Sequence, residues 1–133
     1  MPFIRISLAG HCPTADRIAH LQRGTTDLMA GILGKRREVV VVAVETSPVP
    51  NWSVNGKSLA SSATLAQMEA FITAGTNTGE EKAAFIRAAH ALLASVLGAE
   101  ATPIYVQVQE IPAGDWGYDG ETQAARKRAA QSL

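Results

Sequence analysis

Cysteine is almost absent: the only one among 133 residues is Cys12, so no disulfide can form within the chain. Aromatic residues make up 5% of a sequence that is 47% hydrophobic, so the core must come from Ala, Val, Leu and Ile. Neither charge sign dominates, with Lys+Arg and Asp+Glu at 12 each, and the longest basic run is Lys35-Arg36-Arg37. That balance argues against nucleic acid as a partner. An apolar run of membrane-spanning length and a charged-then-apolar leader are both missing, so a cytoplasmic protein without membrane contact is expected. There is no glycine-rich phosphate loop, and His20 and His90 lack Cys, Asp or Glu neighbours at ligand spacing. Neither a metal nor a cofactor is expected.

What the sequence does contain is a repeat. Shifted by 64 positions, its halves align without a gap, pairing Thr14 with Thr78, Gly34 with Gly98, Pro48 with Pro112, Trp52 with Trp116 and Gly56 with Gly120. Ala or Val identities arise by chance in such a composition; a matched Trp, Pro and two Gly in one register point to duplication. The length suits one compact domain over residues 1–133, built of repeats at 2–63 and 64–126.

Each repeat reads as strand, helix, strand and hairpin. Phe3 to Ala9 alternates, with Ile4, Ile6 and Leu8 on one face and Arg5 and Ser7 on the other; Gln67 to Thr73 is its weaker counterpart. Thr14 and Thr78 are N-cap candidates, the second with Glu81 at capping-box spacing, so helices are expected over 14–33 and 78–97. Gly34 and Gly98 should end them. Val39 to Val44 is apolar on both faces, as in an interior strand covered on both sides. Ile104, Val106 and Val108 instead alternate with Tyr105, Gln107 and Gln109. Parallel strand-helix-strand units joined in this way give an α+β two-layer sandwich, a four-stranded sheet under two helices, with one sheet face left for a subunit partner. The polar stretch after Glu121 reads as a solvated short helix or a loose tail.

Three features together carry a family resemblance: Met1-Pro2 running into an amphipathic strand, the βαβ repeat, and the aromatic-between-glycines segment Gly114-Asp115-Trp116-Gly117, loosely copied around Trp52. In these the chain resembles the tautomerase superfamily, as two fused 4-oxalocrotonate-tautomerase-like units. The resemblance implies a homotrimer acting on a small carboxylate substrate. It also implies removal of the initiator methionine, after which the Pro2 nitrogen is the general base that moves a proton between carbon and oxygen of an enol or keto acid. A free α-amino group, with a reference pKa of about 8 lowered by burial beside cations, suits that task. The repeat equivalent of Pro2 is Ala66, which has no free amine.

The motif is not intact. The family arginine after the first strand's glycine is replaced by His11, and the second family arginine aligns with Val40 and Tyr105. His11 and Tyr105 are therefore candidate substrate ligands, with Arg36 and Arg37 as nearby cations and Trp116 as the apolar wall. For Lys35, Arg36 and Arg37 the competing role is favourable charge at a helix C-terminus. Two further functions stay open: a related proline-dependent dehalogenase or decarboxylase, and a noncatalytic trimeric binding protein that keeps only the fold.

Overall fold

The computed structural model describes residues 2–10, 13–98 and 101–131. In chain order the elements are β1 (Phe3–Ala9), α1 (Ala15–Gly31), β2 (Val41–Ser47), β3 (Ser53–Val54), β4 (Lys57–Ser58), β5 (Leu65–Thr73), α2 (Gly79–Leu97), β6 (Ile104–Ile111), β7 (Gly117–Tyr118), β8 (Glu121–Thr122) and α3 (Gln123–Gln131). Both hairpins obey the repeat: β3–β4 and β7–β8 turn through Asn55-Gly56 and Asp119-Gly120, all four at positive φ. The segment Gln67 to Thr73, ambiguous as sequence, lies within a fully paired strand.

The helices start where their caps place them. The Thr14 hydroxyl accepts from the Arg17 amide at 3.2 Å. At α2 the capping box is complete: the Glu81 amide donates to Thr78 Oγ1 at 3.1 Å, and the Thr78 amide to Glu81 Oε1 at 2.8 Å. That backbone hydrogen bond is the chief reason the Glu81 carboxyl titrates below its usual range. After α1, Gly34 takes a left-handed φ of 69° and the Lys35 amide reaches back to the Met29 carbonyl, closing the helix as a glycine after it should.

The four long strands form one mixed sheet in the order β2-β1-β5-β6. Strands β1 and β2 are parallel, as are β5 and β6, and the two units meet where β1 runs antiparallel to β5. In that central register Arg5 faces Glu69, its own repeat equivalent, with Nη1 and Oε2 3.9 Å apart. Ile4, Ile6 and Leu8 from β1, with Met68, Ala70 and Ile72 from β5, point into the core beneath Leu21 and Met29 of α1 and Phe85, Ala89 and Leu93 of α2. The helices approach closely because α1 has a glycine at the contact: a Cβ on Gly24 would lie 2.9 Å from the Leu92 side chain. The opposite sheet face carries Arg5, Ser7, Glu69, Tyr105 and Gln107, with no helix over it among the described residues.

One expectation is corrected. The strand read at Val39 to Val44 begins at Val41 and runs to Ser47, preceded by a 3-10 turn at Arg37–Val39, and it is an edge strand rather than an interior one. Val42 and Val44 pack against the core, whereas Val41 remains 41% exposed. Its two-sided apolar pattern has only one side covered by its own chain.

Candidate active site

Pro2 is buried at the head of β1, and its carbonyl accepts the Val41 amide at 3.2 Å. The next residue pairs with Val41 on one side and Phe71 on the other, so Pro2 emerges between the start of β2 and the far end of β5. The β7–β8 hairpin that follows β6 then folds over this end of the sheet. Trp116 Nε1 donates to Thr73 Oγ1 at 3.2 Å, anchoring the hairpin to β5. Gly117 permits the tight return: a Cβ there would lie 1.9 Å from the Glu121 carbonyl oxygen.

Two cavities meet at Pro2. One, of about 360 Å³, is apolar, walled by Phe3, Val41, Phe71, Ile111, Trp116 and Tyr118. The other, of about 830 Å³, lies between the loop after α1 and the C-terminal helix α3; four cationic residues, Lys35, Arg36, Arg126 and Lys127, line it against one carboxylate, Glu121. Among the described residues, Pro2 and Tyr118 alone line both. An amine at this position has a hydrocarbon wall on one side and positive charge on the other.

The residues singled out from the sequence separate. Trp116 lines the apolar cavity with Pro2, whereas Trp52 lines neither cavity and donates from Nε1 to Ser47 Oγ at 2.7 Å. Arg36 lines the cationic cavity, although its Nε is paired with Glu38 Oε1 at 3.0 Å. Glu38 titrates below its usual range, chiefly through a backbone hydrogen bond and then through Arg36. Arg37 turns away to bond Asp27 Oδ1 and lines neither cavity. Tyr105 is 67% exposed on the uncovered sheet face, beside Gln67, and it too is apart from Pro2 within this chain. His11 lies outside the described residues. The Lys35 ammonium donates to Thr76 Oγ1 at 2.8 Å; burial lowers its pKa, opposed by Glu81 and Glu110.

Two residues here escaped the sequence reading, Tyr118 and Arg126. The polar tail forms helix α3, tied to the hairpin where the Gln123 amide donates to the Trp116 carbonyl at 2.9 Å. That connection brings Arg126 onto Tyr118. The repeat held a signal for both: the equivalent positions in the first half are Val54 and Ser62, so the second half carries chemical groups that the first lacks. Among the described residues there is no group of three His, Cys, Asp or Glu able to hold a metal, and no helix long and apolar enough to cross a membrane.

A probable tautomerase, K2, from Dickeya dadantii (strain 3937) is 32% identical over 59 residues, which is 44% of this chain and 88% of that protein. A native fused 4-OT superposes with a TM-score of 0.82 at 30% identity, covering 95% of this chain and 99% of that one. A fused 4-OT wild type asymmetric trimer gives 0.78 at 26% identity, covering 93% and 98%. The family model described as tautomerase enzyme matches residues 2–61 and again 71–126, one match to each βαβ unit. With most of its length matched in two copies, and with the fold of the fused 4-OT structures, this chain belongs to the tautomerase family of enzymes.

Proposed function

We propose that the chain is a tautomerase whose general base is the free amine of Pro2, exposed by removal of Met1, and whose substrate is a small 2-hydroxy-2-enoate or 2-oxo acid. The observation that carries this reading is the position of Pro2 at the junction of an apolar and a cationic cavity. A 2-oxo acid has matching halves. Its carboxylate suits the side lined by Arg36 and Arg126, its carbon chain suits the side walled by Trp116 and Phe71, and the carbon that gains or loses the proton then lies against the amine. The proline ring fixes the direction of the lone pair, so the base needs little reorganisation.

Incubation of the purified protein with 3-bromopyruvate, followed by peptide mass spectrometry, tests the assignment. The expected result is one adduct, on the N-terminal proline, with loss of phenylpyruvate tautomerase activity in proportion to labelling. An adduct elsewhere with activity intact would remove Pro2 from the mechanism.

A homotrimer is the proposed assembly. Among the described residues, edge strands β2 and β6 each present one side without a partner strand, and the sheet face bearing Tyr105 is without helix cover. The fused 4-OT relative that is itself a trimer supports the same arrangement. Sedimentation equilibrium at micromolar concentration should return three times the chain mass. A monomer under those conditions would refute the trimer.

A further inference from the structure

Three buried side-chain polar atoms among the described residues lack a hydrogen-bond partner, and two of them lie on α3: Nε2 of Gln123 and Nε of Arg126. Both residues line the cationic cavity that reaches Pro2. Those two atoms are sealed from solvent, whereas the Arg126 side chain as a whole is 31% exposed. Arg126 is also held in place. Its guanidinium carbon sits 3.7 Å from the centroid of the Tyr118 ring, Nη1 donates to the Tyr118 hydroxyl at 3.1 Å, and Nη2 donates to the Tyr118 carbonyl at 3.0 Å. Glu121 Oε2 stands 3.9 Å from Nε, beyond hydrogen-bond distance, and its side chain is 61% exposed. That carboxylate leaves Nε unsatisfied. Because Tyr118 lines both cavities, its grip sets the cation close to where they join.

We propose that Arg126, clamped by Tyr118 and assisted by Gln123, is the residue that selects for a carboxylate in the Pro2 pocket. The proposal rests on the reading of that pocket as the substrate site. Arg36 is a poorer anchor, since its Nε is already engaged by Glu38 and both side chains are largely exposed. Guanidinium is planar and carries five donors; with two given to Tyr118, others remain for an anion. The selecting group thus comes from the C-terminal helix of the second unit, at a position where the first unit has Ser62.

Titration calorimetry with phenylpyruvate and its neutral methyl ester tests this without relying on turnover. Wild-type protein should prefer the acid. Arg126→Ala should weaken acid binding by roughly ten- to a hundredfold, the range for a charge-assisted hydrogen bond, and leave the ester unchanged. Arg126→Lys should recover part of the preference, and Gln123→Leu should lose part of it. Equal weakening of both probes, a wild type without preference for the acid, or no binding of either would overturn the proposal. If Arg126→Ala does not fold, the Lys and Leu variants carry the same comparison. Failure of the Pro2 mechanism is read separately, as absence of the bromopyruvate adduct, and leaves the acid-to-ester ratio as an independent measure of Arg126.

Discussion

Protein that retains Met1 is expected to catalyse phenylpyruvate tautomerisation 10²- to 10⁴-fold more slowly than processed protein, the range that a positioned general base contributes. The cause is bonding, not folding. With Met1 attached, the Pro2 nitrogen belongs to a tertiary amide and has no basic lone pair, whereas the register of β1 against β2 begins at Phe3. Processed Pro2→Ala should fall between the two, because its amine is primary and freer to rotate. The proposed base works as the neutral amine, so the rate is expected to rise with pH and then level. Equal rates from processed and Met1-bearing protein would rule out the proline base.

For stability, the largest single loss should come from Phe85→Ala, at about 3–5 kcal/mol in denaturant unfolding. Phe85 is 0% exposed on the inner face of α2, in one cluster with Ile4, Met68 and Leu93, and its truncation leaves a ring-sized void that the packed sheet below can fill only in part. Its chain neighbour Ile86 is 37% exposed, so Ile86→Ala is the internal control and should cost far less. The two must be compared at one protein concentration, since assembly shifts apparent stability by mass action. Similar losses from both would mean that α2 does not pack as described.

The frame of this molecule was readable from its residues because its signals are local. Thr14 and Thr78 satisfy exposed amides, Gly34 admits a left-handed backbone, and Ile4, Ile6 and Leu8 alternate; each needs only a few neighbours to act. The 64-residue offset then certified weak elements by strong ones, which is how Gln67 to Thr73 could be placed as a strand. Val39 to Val44 was misplaced as interior for the complementary reason. An apolar pattern reports that a face avoids water, but not whether its own chain or another covers it. Arg126 was hidden by a different circumstance: in a run of Ala, Lys and Arg its charge reads as a solvated helix face. Its relation to Pro2 exists only after α3 has docked on the hairpin.

The pairing of Arg5 with Glu69 bears on how the two halves of the chain can join. These are equivalent positions of the two repeats, brought face to face by the antiparallel register of β1 and β5. In a pair of identical units the same residue would confront itself there, Arg against Arg or Glu against Glu. In this chain the two positions carry opposite signs. At 3.9 Å and with Arg5 45% exposed, the pair adds little stability, on the order of 1 kcal/mol or less after solvent screening. Its effect is on the choice of partner: two first halves or two second halves would each meet like charge at the centre of the joint, whereas a first and a second half would not. At this joint the two halves are not interchangeable.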